Sequence, residues 1–195
     1  MARWQPDARG RLERAALELY QTRGYHNTTV SEIAAHAGLT ERTFFRYFAD
    51  KREVLFYGSS ALQQFLVEGV AAAPPSATPL DAALAALECA AEVIEQRREL
   101  AEQRRAVISA TAELQERELS KLATLATAVA GALGVRGVDE HAATLAAEAA
   151  IAVFKVAFER WIDAGAQRSL AQHIRASAAE LRAVVKTPAR RERTR

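Results

Sequence analysis

The sequence predicts an all-α fold, and three observations carry that expectation. Half of its 195 residues are hydrophobic, alanine is frequent, and there are only nine glycines and five prolines. Apolar residues recur at three- and four-residue spacing, and no useful run of β-branched residues alternates with polar ones. The clearest break, Ala73-Pro74-Pro75-Ser76-Ala77-Thr78-Pro79, falls between two such periodic stretches, where three prolines preclude helix.

The first helix is expected to start at or near Asp7. Leu12, Ala15, Ala16, Leu19 and Tyr20 form its apolar stripe. Gly24 ends it, with Tyr25 tucked back against the cap. Thr29 and Glu32 then have the spacing of a capping box, in which each side chain satisfies an orphan backbone N–H. Val30, Ile33, Ala34 and Ala37 follow at helical spacing. Gly38 permits a sharp turn, Leu39 plugs the corner, and Thr40 caps a second short helix. On that helix Phe44, Phe45 and Phe48 are expected on one side and Arg42, Thr43, Arg46 and Tyr47 on the other. Glu41 lies angularly among the aromatics, but in the first turn it can face solvent and complement the helix dipole. A helix of two turns does not hold itself together in water. The phenylalanines therefore anchor it, and the other face offers two guanidinium groups, a hydroxyl and a phenol. That set reads base edges and grips phosphates, and the spacing is that of a helix-turn-helix.

The stretch Gly-Leu-Thr-Glu-Arg-Thr-Phe-Phe-Arg-Tyr-Phe-Ala-Asp-Lys-Arg-Glu, from Gly38 to Glu53, resembles the signature of the TetR (tetracycline repressor) family. That pattern runs roughly Gly-Val-Ser-x-x-Thr-Leu-Tyr-x-His-Phe-x-x-Lys-Glu, and the likeness covers about residues 8–57. The resemblance implies DNA contacts from Thr29, Thr40, Arg42, Thr43, Arg46, Tyr47 and Lys51, with the two threonines and the lysine beside phosphates. Phe45 stands where many members carry a phosphate-binding tyrosine, and Tyr47 stands at the common histidine. The phosphate contact is accordingly expected at Tyr47.

Asp50 is expected to cap a fourth helix that continues without interruption to about Ala72. Its length, roughly 20 residues or about 30 Å, would exceed what the first three helices cover, making it a mechanical link. A helix over about 79–96 carries Leu80, Leu84, Leu87, Ala91 and Ile94 on one stripe and Ala82, Ala86, Cys89 and Val93 on another. The charged segment Glu95–Arg105 follows, with Leu100, Val107 and Ile108 as its buried residues. Thr111 opens a helix to about Leu133, cored by Leu114, Leu122, Leu125, Val129 and Leu133. Gly131, Gly134 and Gly137 are read as the loop after it. They are not a phosphate loop, since no strand precedes them and no Lys-Ser/Thr follows.

From Asp139 to Ala164 comes the most apolar helix. His141, Glu148, Lys155, Glu159 and Asp163 share one narrow polar stripe. One apolar flank is bulky (Ile151, Phe154, Phe158, Trp161, Ile162) and the other small or β-branched. Two apolar flanks predict packing both within the chain and against a second copy. Ser169 caps a last helix through Leu170, Ile174, Ser177, Leu181 and Val184. The expected dimer face comprises Ala142, Leu145, Ala149, Val153, Leu170, Ile174 and Leu181. It would form an intersubunit four-helix bundle, which resembles the TetR dimer. Cys89, Phe154, Phe158 and Trp161 are the candidate lining of a pocket for a largely apolar small molecule.

Three segments follow: residues 1–57 as a helix-turn-helix domain, 58–185 as a helical ligand-binding and dimerisation domain, and 186–195 as a basic, disordered tail. Their Lys/Arg against Asp/Glu counts are 9 to 7, 12 to 16 and 5 to 1, for a net charge of +2. The first segment is only weakly basic, so affinity for DNA would rest on placed contacts and on dimeric binding. A single cysteine excludes an intramolecular disulfide and suits a reducing cytoplasm. The opening Met-Ala-Arg-Trp-Gln-Pro-Asp has no apolar h-region, and no apolar stretch is read as a membrane span. The four histidines lack metal-ligand spacing, and no paired catalytic constellation or cofactor motif is present. The reading is a homodimeric regulator, most often a repressor in this family, that binds a double-stranded DNA operator and responds to a small molecule. The alternative is an all-α ligand-binding or interaction dimer without a transcriptional role; an enzyme is disfavoured.

Overall fold

The computed structural model describes residues 7–186, apart from the side chain of Ala166, and the described residues are helical with no strand. The helices are α1 (Ala8–Arg23), α2 (Val30–His36), α3 (Glu41–Tyr47), α4 (Ser59–Ala72), α5 (Pro79–Glu95), α6 (Arg98–Ser109), α7 (Ala112–Val135), α8 (Glu140–Asp163) and α9 (Leu170–Lys186), with 3-10 turns at Glu53–Phe56 and Gly165–Gln167. The all-α expectation holds. The chain forms two compact units: Met1–Gln63 with Arg97–Thr124, and Gln64–Gln96 with Leu125–Arg195.

In the first unit, α1 is capped by Asp7, whose carboxylate accepts from the Gly10 amide at 2.9 Å. Leu12, Ala16, Ile33 and Phe44 are fully buried between α1, α2 and α3. Unlike the sequence-based division at 57/58, the unit also takes in α6 and the first half of α7. Val107, Ile108 and Leu114 join the same core. Polar bonds tie them in: Arg117 Nε and Lys121 Nζ reach Glu53 at 2.6 and 3.0 Å, and Arg97 pairs with the buried Glu13.

The expected continuous helix from Asp50 to Ala72 is broken. Asp50 does receive the amides of Arg52 and Glu53, at 2.8 and 3.2 Å, but it caps only the 3-10 turn. Val54, Leu55 and Phe56 are all buried, which one face of an α-helix cannot do for three successive residues. Arg104 Nε also donates to the Leu55 carbonyl at 2.7 Å, a group that a continuous helix would commit to Ser59. The α-helix resumes at Ser59 and runs 14 residues, about 21 Å.

In the second unit, Thr78 caps α5 with Pro79 at its first position, and Ser169 with Gln172 caps α9. Arg136 closes the C-terminus of α4, donating to the carbonyls of Val70, Ala73 and Pro74 at 3.1, 2.6 and 2.8 Å. Gly69 lets α4 approach α5, since a Cβ there would lie 2.8 Å from that of Ala86. Gly131 and Gly134 lie inside α7, contrary to the loop expected there; only Gly137, at φ +86°, belongs to the turn. Leu133 is buried just before the turn and keeps the helix committed that far. Lys186 is the last residue of α9, and the rest of the expected tail lies outside the described residues.

The sequence reading found no apolar stretch of membrane-spanning length, yet α7 and α8, 24 residues each, are long and apolar enough by composition. Both bury one face within the chain and carry charges on another, as core helices do.

Candidate nucleic-acid interface

The α2–turn–α3 element is fixed almost entirely by local bonds. Glu32 accepts from the Thr29 amide at 2.8 Å, and the Glu32 amide donates to Thr29 Oγ1 at 3.2 Å, which completes the capping box. The bonds from the Thr29 backbone and hydroxyl hold the Glu32 carboxyl below its ordinary pKa. At the other end of α2, the Leu39 amide donates to the Ala34 carbonyl and the Gly38 amide to the Ala35 carbonyl. This is a Schellman closure, and Gly38 takes the left-handed position at φ +65°. Arg11 Nη2 from α1 donates to the Ala37 carbonyl and braces the turn. Thr40 then caps α3, its hydroxyl accepting from the Thr43 amide at 3.2 Å.

Phe44 and Phe48 are buried as expected, 5.5 Å apart between ring centres. Phe45 is not; it is 54% exposed, with its ring edge-on to Phe44. The reason is that Phe48 has left the helix, at φ −134°, so Phe44 alone defines the buried face of α3. Phe45 therefore joins the exposed Arg42 and Arg46 on the outer surface, with Thr43 and Tyr47 half-buried beside them. Arg46 Nη2 donates to the Tyr47 hydroxyl at 3.0 Å, and its guanidinium lies 4.8 Å from the centre of that ring.

Lys51, expected beside a phosphate, is directed into the protein. Its ammonium donates to the carbonyls of Tyr25 and Thr28 at 2.8 and 2.9 Å and sits 4.3 Å from the centre of the Tyr25 ring. Tyr20 OH in turn donates to the Lys51 carbonyl at 2.7 Å. Burial pushes the Tyr20 and Tyr25 phenols far above their ordinary pKa, Tyr25 with a further contribution from Glu113. Both act as neutral donors.

Sequence reasoning missed two exposed residues at this surface, Phe45 and Arg9. Arg9, in the first turn of α1, lies 5.1 Å from the centre of the Tyr47 ring. Only the spacing between α1 and α3 in the fold reveals it.

The other candidate residues lie in the second unit. Phe154, Phe158 and Trp161 form a ring cluster with centres 5.9 and 5.6 Å apart, of which Phe154 and Trp161 are buried. Cys89 is exposed and does not join them. Of the expected dimer face, Val153, Leu170 and Ile174 are already buried within the chain, whereas Ala142 and Leu145 are exposed and Ala149 and Leu181 half-buried. The interior of α8 thus consumes part of the surface assigned to a partner. Among the described residues, no group of His, Cys, Asp and Glu could hold a metal ion.

The family model describing bacterial regulatory proteins of the tetR family matches residues 13–57, which span α1, α2, α3 and the 3-10 turn. The chain belongs to the TetR family. Its amino-terminal part is similar to the HTH-type transcriptional regulator TcmR of Streptomyces glaucescens, 40% identical over 74 residues, or 38% of this chain and 33% of TcmR. The match thus spans about a third of that relative. Among solved structures, the TetR-family repressor FadR of Thermus thermophilus, in complex with lauroyl-CoA, is similar in fold. The TM-score is 0.56 at 23% identity, covering 89% of this chain and 92% of FadR. A TetR-type regulator from Syntrophomonas wolfei has a TM-score of 0.63 at 18% identity, covering 91% and 94%. At such identities the likeness concerns the fold: a TetR-type helix-turn-helix followed by helices alone.

Proposed function

We propose that this TetR-family chain is a homodimeric transcriptional regulator of the cytoplasm, a repressor. It would bind a (pseudo)palindromic DNA operator and release it on binding a largely apolar small molecule. The outer surface of α3 carries the reading. Arg42, Arg46 and Phe45 project from a helix anchored by Phe44, a side-chain set that suits phosphate oxygens, guanine edges and thymine methyl groups. Dimerisation through α8 and α9 would place two such helices about 34–36 Å apart, the repeat of successive major grooves. An effector seated by Phe154, Phe158 and Trp161 would favour a different spacing and shift the equilibrium toward the released state.

Selection of bound fragments from the source genome, followed by fluorescence anisotropy on the enriched site, tests this reading. The expected result is one palindromic site bound at least a thousand-fold more tightly than random duplex at the same salt. Equal weak affinity for every duplex would sink it.

A further inference from the structure

The first unit directs most of its cations inward or onto carboxylates. Arg14 pairs with Asp7 at 3.7 Å, Arg23 with Glu32 at 2.9 Å, Arg52 with Asp50 at 2.7 Å and Arg104 with Glu118 at 3.1 Å. Arg97 is held by Glu13, Arg117 and Lys121 by Glu53, and Lys51 by two carbonyls. Arg9, Arg42 and Arg46 differ. All three are exposed, and among the described residues none has a carboxylate within 4.0 Å. The modest net charge of the unit therefore conceals three uncompensated guanidinium groups.

Two of the three share one ring. Arg46 lies 4.8 Å from the centre of Tyr47 and Arg9 lies 5.1 Å from it, with Arg9 also 5.5 Å from the centre of Tyr57. Arg46 is fixed further by its bond to the Tyr47 hydroxyl. The π-face attracts each cation, but two like charges held at one ring still repel. An anion between or beside them removes that repulsion. Guanidinium forks match phosphate oxygens, and α3 would already carry a phosphodiester backbone past this point.

We propose that Arg9, Tyr47 and Arg46 form a clamp for a backbone phosphate of duplex DNA, in which Arg9 contacts DNA from α1 and Tyr47 positions both arginines. The clamp rests on the proposed DNA-binding reading of α3. It also revises the role of Tyr47: its hydroxyl is engaged by Arg46, and the ring is what the site uses.

The test is anisotropy with the full-length protein, measured on its selected operator and on a random duplex of equal length between 50 and 200 mM salt. Arg9→Ala should weaken both duplexes by a similar factor and shallow the slope of log affinity against log salt by about 0.9 per subunit. Arg9→Lys should keep the slope. Tyr47→Phe should retain the Arg9 contribution, whereas Tyr47→Leu should lose it, with circular dichroism and melting showing both variants folded. An unchanged slope in a folded Arg9→Ala protein overturns the clamp. So does a loss confined to the operator, which would make Arg9 a base reader. Inorganic phosphate that protects wild type but not Arg9→Ala from thermal unfolding, with DNA binding equal in both, would mark a free-anion site and also overturn it. Wild-type protein without duplex affinity would instead remove the DNA-binding reading itself.

Discussion

Lys51 holds the carbonyl oxygen of Thr28 at 2.9 Å, across 23 residues of sequence, and the same ammonium holds that of Tyr25. A lysine that the family pattern places beside DNA thus closes the loop between α1 and α2. Replacing it by Ala leaves two partly buried carbonyls without a charged donor, a cost of about 1–3 kcal/mol. Lys51→Ala is therefore expected to lower the unfolding midpoint while leaving the salt slope of DNA binding close to that of wild type. A stable Lys51→Ala protein with a shallower slope would return this residue to the interface.

Phe44 and Phe45 are neighbours with opposite fates. Phe44→Ala should cost about 3–5 kcal/mol, enough to melt the first unit, because the ring is fully buried. Phe45→Ala should leave stability within about 0.5 kcal/mol of wild type. On DNA, Phe45 would meet thymine methyl groups in the major groove. Replacing thymine by uracil across the selected operator should weaken wild type at one step per half-site and leave Phe45→Ala unaffected there. Equal uracil penalties in both proteins would exclude that contact.

How far the sequence foretold this site depended on the range of the forces involved. The Thr29–Glu32 box, the Gly38 closure and the Thr40 cap each act within five residues, and each stands where the sequence placed it. Phe45 was misplaced because the helical wheel treated Phe48 as helical, whereas Phe48 is extended. The break before α4 was invisible because Arg104, which takes the Leu55 carbonyl, lies 49 residues away. Val153 and Cys89 were misjudged for a related reason. Periodicity identifies the faces of a helix but not which neighbour covers each face, and here one chain buries Val153 and leaves Cys89 bare.

Acid should act on the first unit through Glu53. Burial alone would raise its pKa, but the bonds from Lys121 and Arg117 outweigh it, so the folded carboxyl lies below the ordinary glutamate value of 4.5. A carboxyl depressed on folding stabilises the folded state above its unfolded pKa, and that contribution is lost as pH falls through the lower, folded value. Unfolding midpoints of wild type should thus drop below pH 4.5, and Glu53→Gln should flatten that part of the profile. Parallel profiles for the two proteins would show that Glu53 contributes nothing to the acid transition.

The proposed dimer turns on the part of α8 that its own unit leaves open. Leu145 is 72% exposed and Val156 44%, and Ala142, Ala149 and Ala152 complete a seam at alternating three- and four-residue steps. That spacing suits helices crossing at about 20°, as in a four-helix bundle. Across a two-fold axis the same residues meet their own copies or close neighbours, so one substitution acts twice. Leu145→Glu should dissociate the dimer and abolish operator binding, since one recognition helix alone makes too few contacts. Ala149→Glu should act in the same direction, while a charge placed at His141, on the polar stripe, should be tolerated. Val153→Ala is the control for interior packing: it should lower stability without changing the oligomeric state, because Val153 is buried within the chain. Sedimentation of the four variants beside wild type separates these cases. A wild-type monomer at micromolar concentration, or a Leu145→Glu protein that remains dimeric and still binds its operator, would exclude this seam as the interface.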